Sequence, residues 1–211
     1  MSETEGRTVE ARTTVAPQQQ RSREKVARIL AAAGQLLETR PYAELGTKLI
    51  AAEAGVSVGV LYRFFPDKEA IVASLMRDWL ERFVVICEEI TGGPLPEDPH
   101  AFHAALIDAY AAFYRQEPGF RQVWLQGAGL PSLQDEGDAN DRQLAELVHE
   151  VRVRRYGTPD TPETRRRTLL AVVLVGNLLN QAFRTDPQGD PDILAEAVVL
   201  VDRYFQESAR A

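Results

Sequence analysis

The sequence has one cysteine, Cys87, which rules out an intrachain disulfide and a multi-cysteine zinc site. Its expected role is that of a small buried hydrophobe on a helix. There are three histidines, and only His100 and His103 stand at a helical i, i+3 spacing, where Asp98 or Asp108 could complete a weak metal set. An HExxH pattern, a nucleophile elbow and a phosphate-cradling glycine loop are all missing. No catalytic group, metal or cofactor is therefore expected, and a small all-α enzyme is the weakest alternative. No apolar run is long enough to span a bilayer and no signal-peptide core stands near Met1, so cytoplasmic residence without membrane attachment is expected. Strand-like alternation and internal repeats are also lacking.

What is present is helical. The 211 residues are 45% hydrophobic and 26% charged, the composition of a globular protein with room for a small domain and a larger one. The net charge of −7 disfavours a polyanionic partner, but the charge is unevenly spread. Residues 21–68 carry eight Lys and Arg against five Asp and Glu, so a basic N-terminal module precedes an acidic body. Residues 1–20 are polar and aperiodic, with Pro17 and three consecutive glutamines, and read as a disordered arm carrying Arg7 and Arg12. A first helix is predicted over Ser22 to Thr39 from the spacing of Val26, Ile29, Leu30, Ala33, Leu36 and Leu37, and Pro41 closes it.

The densest signal lies between Gly46 and Lys68. A short helix over Thr47 to Ala54 carries Ile50, Ala51 and Ala54 on one side. Gly55 supplies a left-handed stop, Val56 a plug between helices, and Ser57 a cap for the next helix. That second helix, 58–65, stops at Pro66. At about 100° per residue, Val58, Leu61 and Phe65 share its inner face, while Gly59, Val60 and Arg63 share the other. A glycine, a small branched side chain and an arginine suit close approach to a groove: Arg63 can fork onto guanine and Val60 can touch a thymine methyl. This is the pattern of a DNA-reading helix-turn-helix. Lys68, after the cap Asp67, either meets a phosphate at the next helix start or is an ordinary exposed lysine.

On Ile50-Ala51, Ala54-Gly55-Val56-Ser57, Gly59, Leu61-Tyr62-Arg63, Phe65-Pro66 and Lys68-Glu69-Ala70, with Tyr42 ahead of them, residues 21 to about 76 resemble the DNA-binding domain of the TetR family of bacterial transcriptional regulators. The resemblance implies an all-α protein of about nine helices, divided into a three-helix DNA-binding domain at 21–68 and an effector-binding and dimerisation domain at 69–211. It implies phosphate contacts at Thr47, Ser57, Tyr62 and Lys68, and base-edge neighbours at Lys48, Val58, Gly59, Val60 and Arg63, with Phe64 beside them. Gly46, Leu49, Val58, Val60 and Phe64 depart from the family's usual polar residues, which leaves the operator sequence open.

Six further helices are predicted over 67–91, 98–116, 118–128, 139–156, 161–185 and 190–208, separated by Gly- and Pro-rich breakers and an acidic loop before 139. The segment Leu169 to Leu179 is apolar round its circumference. With the last helix it forms a partner surface that, in TetR-like proteins, makes a four-helix bundle with a second copy. The resemblance also implies a pocket for an unknown small-molecule effector. Its candidate liners are Trp79, Phe83, Cys87, Phe102, Tyr110, Phe113, Trp124, Asn177 and Gln181, although such aromatics could equally be core and the amides could bond to neighbouring helices or across a dimer. The expected function is a ligand-released repressor that binds palindromic double-stranded DNA as a homodimer. A helical interaction protein of the same fold without DNA binding is the alternative.

Overall fold

A computed structural model describes residues 17–126 and 131–208. Among the described residues there are nine α-helices, one 3-10 turn and no strand. They are α1 (Pro17–Thr39), the turn Tyr42–Glu44, α2 (Thr47–Glu53), α3 (Val58–Tyr62), α4 (Lys68–Gly92), α5 (Pro99–Gln116), α6 (Pro118–Gln126), α7 (Pro131–Tyr156), α8 (Pro162–Phe183) and α9 (Pro191–Ser208).

The starts follow local chemistry. Asp67 accepts a bond from the Ala70 N–H at 2.8 Å, Asp98 accepts one from His100, and Thr161 with Thr164 forms a reciprocal capping box at α8. Prolines occupy the first positions of α5 and α8, where a missing N–H costs nothing.

Two boundaries differ from expectation. Helix α1 begins at Pro17, so residues 17–20 belong to it and not to the arm; residues 1–16, with Arg7 and Arg12, lie outside the described residues. Helix α7 begins at Pro131, turning the expected acidic loop into helix. The reason is an inner stripe, Leu133, Gly137, Asn140 and Leu144, whose spacing becomes visible only once the Trp124 ring fills the space beside Gly137.

Helix α1 buries Ile29, Ala32, Ala33, Leu36 and Leu37 against α2 and α4. Helix α4 runs on from there to pack against α5 and α7, so one rod takes part in both the head and the body. Helices α7, α8 and α9 pack in sequence, and α9 returns against α5.

A second link joins head to body. Helix α6 lies along α1, and a Cβ placed on Gly119 would come within 3.1 Å of the Gly34 carbonyl and of the Trp79 ring. Trp79 donates its indole N–H to Glu117 at 3.0 Å, and Arg82 donates to the other oxygen of that carboxylate at 2.7 Å.

The α8–α9 turn rests on Gly189. Its φ is +81°, and a Cβ there would sit 2.7 Å from the Phe183 ring. Both the left-handed backbone and the ring exclude a side chain. Gly189→Ala is therefore expected to lower stability by about 1–3 kcal/mol, seen as a fall in urea midpoint at unchanged slope; an unaltered midpoint would contradict this account.

Candidate nucleic-acid interface and cavity

The turn between α2 and α3 is built as a Schellman stop. Gly55 has φ +62°, its N–H reaches the Ala52 carbonyl at 3.2 Å, and the Val56 N–H reaches Ala51 at 3.0 Å. Ser57 then caps α3, its hydroxyl accepting from the Val60 N–H at 3.2 Å. Gly46, which caps α2, offers no side-chain bond.

Helix α3 is shorter than the segment 58–65 but continuous with it. Arg63 keeps helical geometry, and the N–H groups of Phe64 and Phe65 both reach the Leu61 carbonyl at 3.0 Å. This tightening turns Leu61 and Phe65 inward, where both are buried. Gly59, Tyr62 and Arg63 are exposed, and Val60 is half-buried. Val58 and Phe64 are half-buried and packed against the core, so part of each side chain holds the head together.

Lys48 and Arg63 are exposed, and among the described residues neither forms an ion pair. Thr47 and Tyr62 bond through their hydroxyls at 3.1 Å, which locks the start of α2 to the end of α3. No sequence signal marked that tie, because it spans a turn whose geometry must exist first.

Lys68 is half-buried and held by a neighbour, so it is not the ordinary exposed lysine that was one of its two expected roles. Its ammonium donates to the Tyr42 carbonyl at 3.4 Å and stands 4.4 Å from the centre of the Tyr42 ring. Tyr42 in turn donates to Glu69 at 3.1 Å. Burial and then the Glu69 charge push the phenol up to about 12. Lys68 is thus held in place beside the N-terminus of α4 with donors to spare.

The expected pocket residues divide three ways. Cys87 and Tyr110 line an apolar cavity of about 70 Å³ enclosed by α4, α5, α7, α8 and α9, together with His103, Thr168, Val201 and Phe205. Trp124 lines a larger cavity of about 390 Å³ with Asp138, Asp141 and Asn180, where burial pushes the Asp141 carboxyl up to about 6. Trp79, Phe83, Phe102 and Phe113 are core: Trp79 is fixed at the α1–α6 junction, and Phe83 stacks on Tyr110 at 4.3 Å and packs on Phe113 at 5.3 Å.

Asn177 and Gln181 lie on the exposed side of α8, away from the cavity lining, and Asn177 bonds back to the Val173 carbonyl at 2.8 Å. The third amide, Asn180, accepts from the Tyr114 hydroxyl at 2.6 Å. Helical spacing alone could not separate inner from outer positions on a helix apolar all round.

The histidine pair is shared by one carboxylate. His100 and His103 approach Asp202 of α9 through Nδ1 at 2.5 and 2.6 Å, while Asp98 caps α5. Burial pulls the buried His103 below the usual imidazole range despite Asp202, whereas the bond to Asp202 raises the exposed His100. Among the described residues no group of three His, Cys, Asp or Glu side chains could hold a metal ion, and no helix is long and apolar enough to cross a membrane.

Comparison with known proteins places both halves. The family model of bacterial regulatory proteins of the tetR family matches residues 29–75, and that of the tetracyclin repressor-like C-terminal domain matches residues 97–209. The chain is 35% identical over 115 residues to the HTH-type transcriptional regulator EthR of Mycolicibacterium smegmatis, a match over 48% of this chain and 52% of that protein. It therefore spans about half the length of that curated relative. A TetR-family transcriptional regulator from Streptomyces coelicolor is 31% identical, with 87% of this chain and 98% of that one covered at a TM-score of 0.66. The fatty acid degradation regulator FadR from Bacillus halodurans shares the fold at 18% identity, with 92% and 95% covered and a TM-score of 0.64.

Cys87 lines the apolar cavity, and burial pushes its thiol up to about 12. Little thiolate exists at neutral pH under those conditions. In the folded protein Cys87 is expected to resist a disulfide-exchange reagent and to react only along the urea unfolding transition, as followed by mass; rapid native labelling would show that the cavity opens to solvent.

Proposed function

The chain belongs to the TetR family of bacterial transcriptional regulators, and on that premise we propose that it represses transcription by binding palindromic double-stranded DNA as a homodimer until a small molecule releases it. Residues 21–68 form the reading head in this proposal, and 69–211 the effector-binding and dimerisation body, working in the cytoplasm.

The observation that carries the DNA reading is Gly59. It sits exposed in a helix with φ outside the left-handed region, and nothing lies within 4 Å of where its Cβ would be. The fold gains nothing from this glycine, which costs a helix roughly 1 kcal/mol relative to alanine. A surface from outside that must come closer than a methyl group allows accounts for it. Val60 and Arg63 flank the same opening, suited to a thymine methyl and to guanine. Thr47, Ser57, Tyr62 and Lys68 surround it as phosphate contacts, and Lys48 adds a cation beside the bases.

The dimer reading rests on α8. Leu170 is 52% exposed, and Val173 and Leu174 are 37% exposed, one continuous outward strip with Asn177 and Gln181. Such a strip suits an isologous contact with a second copy's α8 and α9. Two heads set roughly 34–36 Å apart would then occupy successive major grooves. The apolar cavity lined by Cys87 and Tyr110 touches α4, so a ligand that enlarges it can move the rod that also packs against α1. Release requires that the ligand bind the DNA-incompetent state more tightly.

Selection from random DNA is expected to return a palindrome; a chain that enriches no sequence would refute the proposal. Gly59→Ala should hold or raise thermal stability while weakening the selected site, a combination that separates groove contact from folding. Arg63→Ala should lose about 1–3 kcal/mol of discrimination at one base position, whereas Lys68→Ala should weaken all sites alike and lower the salt slope by about one. Leu174→Glu should give monomers by sedimentation and abolish palindrome binding.

A further inference from the structure

Between the last turns of α7, the 157–159 loop, the first turns of α8 and the end of α9 lies a cavity of about 180 Å³. Its walls include Arg152, Tyr156, Thr158, Thr164, Arg167 and Phe205. Arg152 is only 9% exposed, and its Nε is buried without a hydrogen-bond partner; the Nε of Arg167 is in the same position.

The contacts these two side chains do make leave their charges uncompensated. Arg152 is 3.4 Å from His103 Nε2, and its guanidinium carbon lies 3.4 Å from the centre of the Phe205 ring. Arg167 donates to the Tyr204 carbonyl at 2.9 Å and stands over the Tyr204 ring at 4.8 Å. Among the described residues no carboxylate pairs with either one. The carboxylate on the far side of His103, Asp202, is taken by both histidines. Burial first, and the Arg167 charge second, pull Arg152 down to about 10. Two cations in a sheltered cavity, each with an unused donor, form a costly arrangement in an empty site and a favourable one around an anion. The N-terminal end of α8, whose N3 residue Thr164 lines the cavity, adds positive potential.

We infer that Arg152 and Arg167 form a binding site for an oxyanion, the carboxylate or phosphate group of a small molecule. At about 180 Å³ the cavity is sized for a head group, since sites for whole drug-sized ligands run to roughly 300 Å³ and more. Phe205 is a wall of this cavity and of the apolar one, and His103, which lines the latter, touches Arg152. A ligand with a charged end and an apolar body would thus find matching surfaces side by side.

The test uses the full chain without DNA, so its failure would leave the operator reading standing. Inorganic phosphate, acetate and decanoate are titrated in a low-salt amine buffer, with calorimetry and thermal melting as readouts. Saturable binding of at least one of them with a rise in Tm is expected, weakened at least tenfold in Arg167→Gln and retained in Arg63→Gln. Phosphate acting alone would identify a phosphate site, and decanoate exceeding acetate would identify a carboxylate with an apolar body. No saturable response to any of the three, or a response equal in parent and Arg167→Gln, would overturn the site. Arg167→Lys, which keeps the charge and loses the fork, should fall between the two and serves if the glutamine variant does not fold.

Discussion

The contact on which the molecule's unity depends is the junction of α1, α4 and α6. Gly119 brings the α6 backbone onto α1 near Gly34, and Trp79 closes the space between them. A side chain at 119 would have to push these helices apart, while Glu117 holds Trp79 and Arg82 by its two oxygens. Because α4 also packs on α5 and α7, it is the rod through which the proposed effector release would act on the head. Interdigitated packing of this kind moves between discrete arrangements instead of bending smoothly, as the proposed release would require.

The head shows the opposite economy. Helix α3 is five residues long, less than a turn and a half, and too short to hold its shape alone. It is held by the Ser57 cap, by the Thr47–Tyr62 bond and by Leu61 and Phe65 beneath. Rigidity comes from these few ties, which leaves Gly59, Val60 and Arg63 to face outward. Tyr42 performs a similar service for Lys68, fixing by its ring and carbonyl a cation that would otherwise be loose.

The body buries more polar chemistry than its apolar composition suggests. Asp202 ties two histidines of α5 to α9, His149 of α7 bonds to Asp160 at 3.1 Å, and Tyr114 meets Asn180. The first and last join helices far apart in sequence, the second ties α7 to the loop that follows it, and each leaves a buried group satisfied. Arg152 and Arg167 depart from that rule, which is why they stand out.

Much of this is legible in the sequence alone. The helix order, the Gly55 stop, the Ser57 cap and the outward set at 59, 60 and 63 depend on steric and hydrogen-bonding preferences of a residue and its near neighbours, and these are written in sequence. The start of α7, the sorting of the aromatics into junction, core and cavity wall, the outward turn of Asn177 and Gln181, and the meeting of Arg152 with Arg167 are not. They depend on which helices become neighbours, and a helix carrying apolar residues on several sides contains no local instruction about which side faces what. Local chemistry thus set the elements and their ends, while the cavities and the buried charges arose only from packing.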